Sequence, residues 1–205
     1  MIKIIMYVVG ALGTNCYLVC DMESGEAMLI DPGEFEPSVV RDISEKRMTL
    51  KYIVLTHGHF DHVDAVREFK EEYPEAILAA SAKDSELYGG YTPELPLTGG
   101  DEIGLGKLSF KVIATPGHTP GGLCFYVNEW DRDLIDRDFS GTLFSGDTLF
   151  NASVGRADME GGDFKALKDS IREELFALPD DTIVLPGHMD VTTIEREKRY
   201  NAFVK

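Results

Sequence analysis

Within the stretch Thr56-His57-Gly58-His59-Phe60-Asp61-His62 stand three histidines and an aspartate in six residues. The apolar run Tyr52-Ile53-Val54-Leu55 before it reads as a buried strand, and Val63 to Tyr73 after it as a helix, so this loop sits at a strand's C-terminal end. Residues two apart in extended backbone point the same way, so His57 and His59 are expected to converge on one point. The chain then turns, and Asp61 and His62 face a second. Imidazole and carboxylate at this density are metal-ligand chemistry. The other two of the five histidines, His118 and His188, stand in Thr115-Pro116-Gly117-His118 and Leu185-Pro186-Gly187-His188. Each follows an apolar stretch and a Pro-Gly turn, and a third apolar run ends at Gly146-Asp147, so all of these ligand-type residues are expected along one edge of the fold.

The chain reads as alternating strands and helices, an α/β layered pattern. Strands are expected at 2–9, 15–21, 27–30, 77–80, 101–105, 107–114, 121–127, 142–146 and 182–185, besides the run before the motif. Helices are expected over Glu36 to Met48, from Ser81 to about Gly89, over 163–177 with Phe164, Leu167, Ile171, Leu175 and Phe176 on one stripe, and over 193–201. The 205 residues suit one domain, 1–205, and the second half repeats the first in outline. Asp131-Arg132-Asp133 and Asp136-Arg137-Asp138 mark Glu129 to Ser140 as a solvated hairpin extension, with a lid or subunit contact as the alternative.

A formal charge of -16 disfavours nucleic acid and anionic membrane surfaces, and nothing approaches the length of a membrane span. Ile4 to Leu12 reads as a strand with a hairpin partner rather than a signal-peptide core. Cys16, Cys20 and Cys124 lack paired metal or redox spacing; Cys16 and Cys20 share a strand parity with Leu18 and are expected to face the core. Unpaired thiols fit a reducing, cytoplasmic location.

Through Thr56 to His62, His118, Gly146-Asp147 and Pro186-Gly187-His188, the sequence resembles the metallo-β-lactamase superfamily over most of its length. The resemblance implies a four-layer αββα sandwich with a dinuclear site at the strand ends. It assigns His57, His59 and His118 to one metal, Asp61, His62 and His188 to the other, and Asp147 to a bridge. Ser145 to Phe150, Val154 to Asp158, Gly161-Gly162-Asp163 and the ending Thr192 to Asn201 are similar to the short glyoxalase II-like, or hydroxyacylglutathione hydrolase-like, branch. Met189-Asp190 and Ala202 stand where that branch usually has Gly-Pro and proline.

Two divalent ions would hold a bridging hydroxide near neutral pH, polarise a carbonyl oxygen and stabilise an oxyanion, with Asp61 and Asp147 as the catalytic carboxylates. With all five histidines assigned to metal, none remains as a separate general acid. That favours a leaving group such as a thiolate, whose thiol has a pKa of about 8.5. The expected reaction is therefore hydrolysis of a small-molecule thioester, S-D-lactoylglutathione first, with zinc as the expected metal and iron or manganese compatible with the same donors. Arg156 is a candidate for a substrate carboxylate, or else pairs with Asp158. Three alternatives are a persulfide dioxygenase with one iron on His57, His118 and Asp147, an ester or lactone hydrolase, and a non-catalytic metal-binding or scaffold protein.

Overall fold

The computed structural model describes residues 1–133 and 139–205. Its first half runs β1 (Ile2–Val9), β2 (Thr14–Asp21), β3 (Glu26–Ile30), α1 (Pro37–Glu45), β4 (Thr49–Val54), α2 (Phe60–Val63), α3 (Val66–Glu72), β5 (Ile77–Ser81) and β6 (Leu95–Leu97). The second half runs β7 (Glu102–Leu105), β8 (Leu108–Ala114), β9 (Leu123–Val127), β10 (Thr142–Gly146), β11 (Leu149–Phe150), β12 (Ser153–Val154), α4 (Phe164–Glu173), β13 (Ile183–Pro186), β14 (Thr192–Thr193) and α5 (Ile194–Tyr200). Short 3-10 turns cover Ala82–Leu87 and Leu175–Ala177.

β1 to β6 form one sheet in chain order, and β14-β13-β10-β9-β8-β7 form the other. Alternation decides what each sheet buries. In β2, Tyr17 and Val19 point toward the second sheet and meet Phe110, Phe125, Phe144 and Leu185 there. Cys16, Leu18 and Cys20 point the other way, onto Val39 and Ile43 of α1 and Val66 and Phe69 of α3. The outer face of the second sheet is covered in the same manner by Leu167 and Ile171 of α4 and Ile194 of α5. Three apolar layers thus separate helix, sheet, sheet and helix, the expected αββα sandwich; Cys16 and Cys20 are buried and unpaired as expected, and Cys124 is buried and unpaired as well.

Several elements differ from the sequence reading. The helix expected over Val63 to Tyr73 is two helices: α2 begins at Phe60, so Asp61 and His62 lie in a helical turn, and the chain breaks at Asp64-Ala65, where the Ala65 amide donates to the Pro32 carbonyl. α1 is shorter than Glu36 to Met48, because Glu36 caps it through the Ser38 amide and Arg47 turns left-handed at φ 54°. β6 and the β11–β12 ladder lie where only loops were expected. Pro96 in the centre of β6 masks the strand, and is tolerated because β6 is a sheet edge.

α4 ends at Glu173, and Phe164 is 48% exposed at its first position rather than on the buried stripe. In the acidic segment, Asp131 is buried, accepts from the Ile4 amide at 2.8 Å and pairs with Lys3, which also meets Asp133. The second Asp-Arg-Asp repeat, Asp136-Arg137-Asp138, and the lid or subunit contact expected with it lie outside the described residues. Among the described residues no helix is long and apolar enough to cross a membrane.

Candidate metal centre

β4 delivers Thr56 and His57 at its C-terminal end, and α2 begins immediately after His59, which has extended backbone. His118 lies in the turn between β8 and β9, Asp147 follows β10, and His188 follows β13. Every residue expected at the sheet edge therefore reaches one cleft. Three ligand-type groups have their donor atoms within 4.8 Å of one another: His57, His59 and His118; Asp61, His62 and His188; and Asp31, His57 and His62, which shares one imidazole with each of the first two triads.

The first two triads are joined by Asp147. Its Oδ2 lies 3.4 Å from His118 Nε2 and 3.6 Å from His188 Nε2, and its Oδ1 lies 3.4 Å from His62 Nε2. Asp61 Oδ2 stands 3.2 Å from His188 Nε2 and 3.5 Å from His62 Nε2, and accepts from the Thr14 hydroxyl at 2.9 Å.

The far side of each imidazole determines which nitrogen faces inward. Asp31 accepts from the Thr56 amide at 2.7 Å, from the Thr56 hydroxyl at 2.6 Å and from His62 Nδ1 at 2.9 Å. With its proton given to Asp31, the Thr56 oxygen accepts from His57 Nδ1 at 3.0 Å. His118 Nδ1 donates to the Arg156 carbonyl at 2.6 Å. Three imidazoles thus turn Nε2 inward. His57 Nε2, His62 Nε2 and Asp147 Oδ1 are buried without a hydrogen-bond partner, and His59 Nδ1 faces His118 Nε2 at 2.8 Å. Orphaned buried acceptors are costly. Nitrogen lone pairs that close need a proton or a cation between them, so this donor set fits divalent cations.

Electrostatics follows the same pattern. Burial holds His57 well below the ordinary imidazole range, and the neighbouring histidines push it further down. Burial also depresses His59, with His118 adding to it. The Asp61 contact raises His188. Burial works against charge on His62, yet Asp147 and Asp31 override it and hold its pKa well above the usual value, so this position favours a cation at Nε2: a proton, or a metal ion that displaces it. Burial likewise opposes ionisation of Asp61 and Asp147, but the surrounding histidines keep both carboxyls below the usual carboxylate range. Both stay acceptors at neutral pH.

Close packing leaves little freedom around these groups. A Cβ on Gly33 would meet the Asp61 carbonyl oxygen at 1.6 Å, and one on Gly187 would meet Asp147 Oδ1 at 2.5 Å. Asn15 pins the His188 loop: its amide nitrogen donates to the Gly187 carbonyl at 2.7 Å, and its side chain to the Pro186 and Met189 carbonyls, both at 2.9 Å. Met189, where a glycine was noted as usual, adopts φ 68°.

A cleft of about 700 Å³ opens above the triads, with Leu12, Phe60, Phe150, Val154, Met159 and Met189 among its walls. Arg156 lies on its rim, where the guanidinium pairs with Asp158 through two bonds of 2.9 and 3.0 Å. The pairing alternative is therefore the arrangement present, and the backbone carbonyl of Arg156 is what reaches the histidine cluster. Asp31, Thr14 and Asn15 were missed by sequence reading. Asp31-Pro32-Gly33 reads as an ordinary turn, and only its place at the end of β3, alongside the His57 strand, signals more.

A sequence profile of the Metallo-beta-lactamase superfamily matches residues 9–188. Hydroxyacylglutathione hydrolase GloC of Haemophilus influenzae is 34% identical over 96% of this chain and 95% of its own length. The human mitochondrial persulfide dioxygenase ETHE1 is also 34% identical, over 92% of this chain and 70% of its own length. The crystal structure of TTHA1623 in a di-iron-bound form superposes with a TM-score of 0.80 at 34% identity, covering 97% of this chain and 99% of that one. With the αββα sandwich, the clustered triads and a profile match over most of its length, the chain belongs to the metallo-β-lactamase superfamily.

Proposed function

We propose that this protein is a dinuclear metal-dependent hydrolase that cleaves a small thioester of the S-D-lactoylglutathione type. The observation that carries this reading is the coexistence of the triads His57-His59-His118 and Asp61-His62-His188 around Asp147, with His57 Nε2, His62 Nε2 and Asp147 Oδ1 all buried without a hydrogen-bond partner. His57, His59 and His118 would hold one ion, Asp61, His62 and His188 the other, and Asp147 would reach both. When bound, two such ions supply a water of lowered pKa and a Lewis acid for the carbonyl oxygen. Zinc, iron and manganese all suit these donors, and the di-iron form of a relative supports a divalent pair without choosing zinc.

The chain's own groups do the rest. Asp61 remains ionised, and its Oδ2, held by Thr14 and facing His62 and His188, would be its donor atom to the second ion. Asp147 spans the two triads and fixes their separation. All five histidines are drawn into the site, so none stands apart to protonate a poor leaving group. A thiolate departs without that help, whereas an amide nitrogen does not. Arg156 would meet a substrate carboxylate after exchanging Asp158 for it. The likeness to GloC supports the acyl-glutathione class, and an ester or lactone is the next substrate to test.

The likeness to ETHE1 favours a second reading, sulfur oxidation on one iron held by His57, His118 and Asp147. An oxygen-free assay separates the two. Purified protein is expected to hydrolyse S-D-lactoylglutathione at the same rate with and without oxygen. Turnover of a glutathione persulfide that needs oxygen, with no thioester cleavage, would replace the hydrolase reading. Activity confined to a lactone or β-lactam would replace the thioester.

A further inference from the structure

The 3-10 turn Ala82–Leu87 carries a buried carboxyl group that the proposed chemistry does not use. Asp84 is 1% exposed, yet it lies on no strand of the metal edge. Its Oδ2 accepts from the Thr119 hydroxyl and its Oδ1 from the Gly121 amide, both at 2.6 Å. Thr119 follows His118 directly, and the Gly117 amide donates to the Thr119 carbonyl at 3.0 Å, closing a tight turn around that histidine. Buried carboxylates are costly unless fully hydrogen-bonded. Here the donors come from the loop that presents a candidate ligand.

The same turn also rests on the other half of the triad. A Cβ on Gly58, between His57 and His59, would meet Leu87 Cβ at 2.5 Å and the Asp84 carbonyl oxygen at 3.2 Å. The turn is itself well anchored. Ser81 caps it through the Lys83 amide at 3.2 Å, and the Tyr88 hydroxyl donates to the Ser81 carbonyl at 2.8 Å. A Cβ on Gly121 would meet Asp84 Oδ1 at 2.5 Å, so the His118 loop approaches the carboxyl at backbone distance. One rigid element therefore touches both loops that supply His57, His59 and His118, and it grips one of them through two short hydrogen bonds.

We infer that Asp84 is a positioning residue for the His57-His59-His118 cluster, setting the place of His118 relative to the His57 loop and so the affinity of that cluster for a divalent ion. The inference rests on the reading that this cluster binds metal. Partners that orient a ligand typically change metal affinity by about 10- to 100-fold when removed.

The test is a metal titration of metal-depleted full-length chain with cobalt(II), followed by the visible absorption of the bound ion and by competition with a chromophoric chelator. In Asp84→Asn, one of the two bound cobalt ions is expected to bind about 10- to 100-fold more weakly, and the other within about threefold of the parent. Thr119→Val, which removes one donor and leaves the carboxyl held by Gly121, is expected to shift the same ion in the same direction by a smaller factor. It keeps the question open to measurement if Asp84→Asn does not fold. For turnover of whichever substrate the parent accepts, kcat falls and KM is unchanged. Equal weakening of both ions, or unchanged affinity in a folded variant, would reduce Asp84 to a structural anchor and overturn the inference. A parent chain that binds no cobalt would instead overturn the metal-centre reading beneath it.

Discussion

At the scale of single residues, the most informative group is one that touches no expected metal. Asp31 holds the Thr56 hydroxyl and His62 Nδ1, and through Thr56 it also sets the tautomer of His57, so one carboxyl orients an imidazole in each triad. Its φ of 53° is in the left-handed region, where Asn is as acceptable as Asp. Asp31→Asn therefore keeps the backbone and removes the charge and one acceptor. It is expected to bind divalent metal about 10- to 100-fold more weakly, measured as metal retained per chain after dialysis against a chelator series. An unchanged retention curve would count against that orienting role. The candidate ligands were legible from sequence because their chemistry is rare and stood at strand ends. Asp31, Thr14 and Asp84 were not, because aspartate before Pro-Gly, threonine at a strand start and aspartate in a first helical turn are each ordinary locally. Only the folded neighbourhood, which brings Asp31 to His62 and Asp84 to Thr119, distinguishes them.

At the scale of elements, helix α4 shows how packing supports the site. Asp163 caps it through the Ala166 amide at 3.0 Å, and the Asp163 amide donates to the Gly117 carbonyl at 2.8 Å, so the helix begins against the His118 turn. Gly117 has φ 138°, and a Cβ there would meet the Leu167 nitrogen at 2.2 Å. Leu167 is fully buried among Ile113, Leu143 and Val184. Leu167→Ala is expected to cost about 2–5 kcal/mol, and Asp163→Ala about 1 kcal/mol, read as shifts in urea midpoint at constant m-value. A cost for Asp163→Ala equal to that of Leu167→Ala would show that the cap carries tertiary contacts beyond the helix end. Strands and helices with clear periodicity were legible. The short ladders were not, because two- or three-residue strands such as Leu95–Leu97 and Leu149–Phe150 carry no period, and their pairing comes from the sheet they join. The stripe on α4 was overextended to Phe164, because a residue at the first helical position need not share the buried face.

At the scale of the whole molecule, three apolar layers bury every thiol. Burial pushes Cys20 and Cys124 up to about 11, against an ordinary value of 9.0. In the unfolded chain these thiols ionise first, so between about pH 9 and pH 11 the folded state binds more protons and stability falls as pH rises; below pH 9 the contribution is fully present. Urea midpoints measured at pH 8 and pH 10.5 are expected to differ by more in the parent than in the Cys20→Ala, Cys124→Ala double variant, and equal differences would contradict burial of the neutral thiols. The layered α/β character was legible from alternation, whereas the four-layer sandwich was legible only through the resemblance that the strand-end ligands carry to the metallo-β-lactamase superfamily. The cleft above the metals was not, because its walls come from Leu12, Phe150, Met159 and Met189 on four separate segments. What most directly tests the account is a titration of metal-depleted protein with zinc, followed by hydrolysis of S-D-lactoylglutathione without oxygen. The account predicts two ions bound per chain and turnover that reaches its maximum only as the second site fills. Binding of a single ion, with full activity at one equivalent or none at any, would contradict it.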